Sequence, residues 1–181
     1  MNRLALTAAT AAAVGAGACA PRAPVDPVPE VPTITSAEAD VREPGGRIVA
    51  RSTATQVGDT LRVRVEAAGL APGIYAAHIH SVGRCDPPSF ETAGGHWNPT
   101  NRQHGRDNPQ GQHLGDLPNL MVGTDRRGSF EFSIAGAWLA GGRMPMLDAD
   151  GAALVLHARA DDYRTEPSGN SGARIACGVY R

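Results

Sequence analysis

Lysine is absent from this chain of 181 residues; all 17 basic residues are arginine. Set against 18 acidic residues they leave a formal net charge of −1, so no global basic excess argues for a nucleic-acid partner. Aromatic residues are scarce, with two Trp, three Tyr and three Phe, and there are only three cysteines. The main apolar run, Leu4–Val14, is too short to span a bilayer. What the chain has instead is turn formers, 22 Gly and 14 Pro, which favour short strands over a helical bundle. Its length suits one domain with a useful core.

Residues 1–18 read as an export signal: one positive charge at Arg3, the apolar run, then small residues up to Cys19. The stretch AGAC resembles a bacterial lipobox, in which the cysteine becomes the lipid-bearing first residue, although Ala16 stands where leucine is usual. That reading holds the protein on a membrane only through lipid on Cys19, as a periplasmic or outer-membrane lipoprotein. An ordinary secretory signal cleaved nearby is the other reading. Residues 19–33 carry five prolines between Pro21 and Pro32. Such a stretch favours polyproline II at ~3.1 Å per residue, a semi-rigid spacer; a disordered tail is the alternative.

The folded domain is expected over 34–181. DTLRVRVE (Asp59–Glu66) and SFEFSI (Ser129–Ile134) alternate apolar and polar residues strictly, as strands with one buried face do. Further candidates are Glu38–Arg42, Arg47–Thr55, Gly73–His80, Asn119–Thr124 and Ala152–Ala158, separated by PGG, APG and DRRG turn signals. A short helical turn around Ala135–Leu139 is the one departure. The pattern predicts an all-β fold, a Greek-key β-sandwich or flattened barrel of about eight antiparallel strands.

Two polar stretches interrupt it, Arg84–Pro118 and Ala160–Ala173. Loops of the first length inside a compact domain are functional or disordered. This one holds three of the six histidines, His96, His104 and His113, followed by Asp116. His78 and His80 lie two apart in a strand, so they project from one face. His157 closes the apolar strand ALVLH. Imidazoles suit copper and zinc, and a loop carboxylate suits zinc, so the histidines point to a metal centre that also pins the long loop.

HIHSVGRC, GGHWNP, QHLGDLPN, LVLHARADD and GNSGARIACGV together resemble the motifs of copper/zinc superoxide dismutases, in matching order across about 140 residues. The resemblance implies copper held by His78, His80, His96 and His157. It implies zinc held by His96, His104, His113 and Asp116, with His96 bridging the two metals. Asp161 matches the acid that hydrogen-bonds one copper histidine and one zinc histidine; its neighbour Asp162 reads as an exposed loop carboxylate. Arg174 matches the arginine that guides the superoxide anion. Cys85 and Cys177 match the family's disulfide, which leaves Cys19 for lipid. The implied activity converts superoxide to dioxygen and hydrogen peroxide, with His96 carrying a proton. A non-catalytic metal-binding lipoprotein on the same fold is the competing reading. Bacterial members include monomers and dimers, so a homodimer is one of two implied states.

The second, electrostatic loop departs from the family. It is short and lacks the guiding lysine often found there. Arg164 could supply that charge, with Glu166 opposing it.

Overall fold

The computed structural model describes residues 35–181; the signal and spacer expectations at 1–18 and 19–33 lie outside the described residues. Alternation of apolar with polar and charged residues forms β1 (Ser36–Arg42) and β3 (Thr60–Ala68), and β2 (Ile48–Val57) pairs with both. In β3 Leu61, Val63, Val65 and Ala67 are buried, while Arg62, Arg64 and Glu66 face solvent. The expected strand Gly73–His80 is two strands, β4 (Gly73–Tyr75) and β5 (Ala77–His80). The break is at Ala76, whose N–H donates to the Arg159 carbonyl and whose own carbonyl accepts from His157 N–H. The chain changes sheets there, because β4 pairs with β6 (Leu120–Val122) and β5 with β10 (Ala153–His157).

After β6 a hairpin leads into β7 (Arg127–Ala135), where Phe130, Phe132 and Ile134 share one face. The helical turn expected at Ala135–Leu139 does not form. Gly136 takes a positive φ of 72°, and the Gln56 side chain accepts from Leu139 N–H at 2.6 Å. That holds the segment extended as β8 (Trp138–Ala140), which pairs in parallel with β9 (Pro145–Leu147). β10 and β11 (Arg174–Val179) complete the fold, giving eleven strands among the described residues where about eight were expected.

Seven strands form one antiparallel sheet in the order β5-β10-β11-β1-β2-β3-β7. Its two edges are tied together by short elements: β7 is joined by the hairpin to β6, and β6 pairs with β4, which runs into β5. The sheet therefore curls around a core that includes Val41, Leu61, Val63, Ile79, Leu120, Leu154 and Leu156, as the sandwich expectation required.

β5 and β10 are buried along their whole length. Ile79, Leu154 and Leu156 face the core, while His78, His80 and His157 face outward under the long loop. A strand buried on both faces needs a cover, and residues 84–118 supply it. The stretch contains one 3₁₀ turn, Glu91–Ala93, and laces across β5 by backbone bonds: Ile79 N–H donates to the Gly115 carbonyl and Trp97 N–H to the Ile79 carbonyl. At Gly115 the approach is so close that a Cβ would lie 2.3 Å from the Ile79 carbonyl oxygen. The Cys85–Cys177 disulfide staples the loop to β11, and Phe90 and Ala93 pack beside it against Val155.

Candidate metal centre

Strand pairing sets the first half of the site. Val155 lies opposite His78 and Ala153 opposite His80, so His157, two residues beyond Val155, falls on the same outward face. A register shift between Leu156 and His157 then puts Arg174 opposite His157. The loop brings His96 over this face as the bridge partner of His80. The rings of His78 and His96 come within 4.1 Å, and those of His78 and His157 within 4.8 Å. Ring nitrogens of His78, His80, His96 and His157 all lie within 4.8 Å of one another.

The second half forms around Asp116. Its Oδ1 lies 2.8 Å from His96 Nδ1, 3.1 Å from His104 Nδ1 and 3.0 Å from His113 Nδ1. A ring nitrogen of His78 also comes within 4.8 Å of donor atoms of His96, His104 and Asp116. His78 Nε2 donates to Asp161 Oδ2 at 2.9 Å, and His113 Nδ1 faces Asp116 Oδ1 directly, so three loop imidazoles surround that carboxylate. Asp161 Oδ1 accepts from His104 Nε2 at 3.0 Å, so one carboxylate spans both halves.

Second ring nitrogens are anchored too. His80 Nδ1 donates to the Gly94 carbonyl at 2.9 Å and His157 Nδ1 to the Gly172 carbonyl at 3.2 Å. These bonds fix the tautomers and aim the remaining lone pairs inward. His78 Nδ1, His80 Nε2, His104 Nδ1 and His157 Nε2 are buried without any hydrogen-bond partner. Those of His78, His80 and His157 lie in the all-imidazole half and that of His104 lies beside Asp116; such buried atoms are costly unless cations take their lone pairs. The all-imidazole half suits copper and the half containing Asp116 suits zinc.

Burial lowers His78 to about 3 and His157 to about 4, pushes His80 well below its ordinary value and lowers His96. Each is then neutral, the form that coordinates metal. Burial pulls His104 down as well, but the Asp116 and Asp161 carboxylates outweigh it and raise His104 to about 9. Burial would raise both of those carboxyls; imidazole and backbone N–H bonds instead hold them well below the usual range.

Arg174 is half-buried at the mouth of the site. Its Nη1 donates to the Phe90 carbonyl and its Nη2 to the Gly94 carbonyl, each at 2.8 Å. Burial lowers its pKa and Glu91 opposes that shift, so the group stays cationic. An open cavity of about 480 Å³ connects Arg174 with His80, His96 and His157.

A family model described as copper/zinc superoxide dismutase matches residues 45–180. The chain belongs to the copper/zinc superoxide dismutase family. Membership brings copper and zinc as cofactors, and the two donor sets fit them. The protein is 37% identical over 147 residues to a superoxide dismutase [Cu-Zn] of Aquifex aeolicus, covering 79% of this chain and 86% of that one. It is 40% identical over 152 residues to the superoxide dismutase [Cu-Zn] of Caulobacter vibrioides, covering 81% and 86%. Among solved structures, a superoxide dismutase-like protein from Bacillus subtilis matches with a TM-score of 0.74 and 40% identity, over 78% of this chain and 96% of that one.

Several supports of this dismutase-family site carried no signal in the sequence. Asn119 pins Asp161 in both directions, accepting from its N–H at 2.8 Å and donating to its carbonyl at 3.0 Å. Gly169, at φ 64°, leaves space for the Asp161 carboxylate. Asp162 is exposed, as expected, yet it also orders the second loop. Its carboxylate accepts from the N–H groups of Arg164 and Thr165, from Thr165 Oγ1 and from Asn170 Nδ2. Glu166 reaches across to accept from His104 N–H.

Proposed function

We propose that the protein converts superoxide to dioxygen and hydrogen peroxide at this centre. The observation that carries the reading is the convergence of four buried imidazoles on one point beside a fixed, half-exposed guanidinium. His78, His80, His96 and His157 would hold copper; His96, His104, His113 and Asp116 would hold zinc. Copper, when bound, supplies a one-electron couple that oxidises one superoxide and reduces the next, while zinc supplies charge and rigidity. Arg174 draws the anion in and orients it by hydrogen bonding. With Nδ1 turned to Asp116, His96 has Nε2 on the opposite edge of its ring, where, whenever that nitrogen is not holding copper, it would take a proton from solvent and pass it to the second anion. The other proton of hydrogen peroxide comes from solvent through the open cavity. Asp161, tied to His78 and His104, keeps the two halves in register.

Likeness to a protein called superoxide dismutase-like raises a second reading, metal binding without catalysis. Presence of all four imidazoles together with Arg174 favours the enzyme. Decay of pulse-generated superoxide on fully metallated samples separates the two. Arg174→Glu should lower kcat/KM more than Arg174→Ala, with metal contents unchanged; equal rates for wild type and both variants would remove Arg174 from the reaction. We further propose that the mature chain is exported and begins at a lipid-bearing Cys19. Intact mass of the mature protein tests this, and an unmodified N-terminus or a cut elsewhere refutes it.

A further inference from the structure

A chain without lysine must draw anions with arginine. Besides Arg174, the cavity over His80, His96 and His157 is lined by one other cation, Arg102. Arg164, the candidate replacement on the second loop, is exposed and does not line this cavity. We propose that Arg102 is the outer capture residue for the anionic substrate, handing it to Arg174.

Three observations carry this. Arg102 is exposed and makes no ion pair among the described residues, so its charge is not offset by a bonded carboxylate. Its backbone is locked from both sides by one side chain: Asn98 Oδ1 accepts from Arg102 N–H at 3.0 Å, and Asn98 Nδ2 donates to the Arg102 carbonyl at 2.8 Å. Asn98 itself lines the cavity, so the turn that carries the charge is part of the wall. The carboxylate lining the same cavity, Glu166, accepts from His104 N–H and makes no ion pair with Arg102. The rim thus presents one anchored cation and one tethered anion. An entering anion is steered to the Arg102 side, between the loop turn and Arg174, instead of over the second loop.

The inference rests on the dismutase reading only for the identity of the substrate; attraction of an anion is testable by itself. The probe is azide, titrated into the copper- and zinc-loaded protein and followed by the copper absorption. Wild type is compared with Arg102→Gln, Arg102→Glu and Arg102→Lys, with metal contents measured in each. One unit charge acting through a water-filled mouth should change azide affinity about twofold on neutralisation and about fourfold on reversal at ~0.01 M salt. Arg102→Lys should restore wild-type binding, and the differences should fade by ~0.15 M salt, where the Debye length falls to about 8 Å. Superoxide decay rates should follow the same order. Equal azide affinity for wild type and Arg102→Gln at low salt overturns the proposal. So does an Arg102→Lys variant as weak as Arg102→Gln, because the effect would then be structural. If azide follows the predicted order while wild type fails to consume superoxide, capture by Arg102 stands and the dismutase reading falls.

Discussion

Breaking the Cys85–Cys177 disulfide tests how the long loop is held. The two cysteines are 92 residues apart in the chain, and the bond closes most of the domain into one loop. Chain-entropy reasoning for a loop of that length gives ~4.6 kcal/mol at 25 °C, an upper figure because the unfolded chain keeps some structure. For a domain of this size, ~2–4 °C of melting temperature accompanies each kcal/mol, so Cys85→Ser should melt roughly 9–18 °C lower. Cys85 is the better position to change, since Cys177 is buried and a hydroxyl there would add its own cost. A local consequence follows from packing. Phe90 and Ala93 rest against the disulfide, and the Phe90 carbonyl holds one nitrogen of Arg174. Freeing Cys85 should therefore loosen Arg174 before it disturbs the histidines. Calorimetry with and without reductant is the assay. Reduced wild type should fall to the melting temperature of Cys85→Ser, and the variant should ignore reductant. A variant melting within about 2 °C of the oxidised wild type would refute the reasoning.

Three further outcomes are expected. His157→Ala should lose copper while keeping most zinc, because His157 has no contact with Asp116; elemental analysis after metal loading decides, and unchanged copper content contradicts the assignment. Gly115→Ala forces a Cβ into the Ile79 carbonyl and should cost ~2–3 kcal/mol, the upper range for overpacking, with both metals bound more weakly; denaturant unfolding measures it, and an unchanged midpoint excludes a tight loop-to-strand approach. Asp162 is held at about 2 by bonds from Thr165, Arg164 and Asn170. A carboxyl depressed in the folded state stabilises above its unfolded pKa near 4 and loses that contribution as pH falls through about 2. Arg164 and Thr165 amides should thus stay protected down to about pH 3 in wild type and exchange faster above that pH in Asp162→Ala, as read by hydrogen exchange; equal protection in both proteins at neutral pH would mean the carboxylate does not order the loop.

Patterns of local origin were legible in the sequence. Alternation in β1, β3 and β7 depends only on the two-residue period of an extended chain, so Leu61, Val63 and Val65 announce their buried face without knowledge of their partners. The same period put His78 and His80 on one side. The collection of His96, His104, His113 and Asp116 in a strand-poor stretch marked it as a site, because such a stretch has no core of its own to order it. The five motifs pointed to the family, and the family match to residues 45–180 agrees.

What the sequence could not supply depends on contacts between distant residues. Ala76 splits one apolar run into two strands because its N–H and its carbonyl are taken by Arg159 and His157, and nothing near Ala76 records those distant partners. The segment after Gly136 is extended because a glutamine 83 residues earlier captures its amide. Arg174 could be matched to a motif, but its place beside His157 comes from a register shift in β10, and its fixed orientation from the carbonyls of Phe90 and Gly94. Tertiary structure also redistributed the charges, putting Arg102 on the rim and leaving Arg164 off it. Side-chain periodicity is a property of the chain itself. Aim, by contrast, is decided by which carboxylates and backbone carbonyls the fold leaves within hydrogen-bond reach of the rings and the guanidinium, and those groups arrive only when the strands have paired and the loop has closed over them.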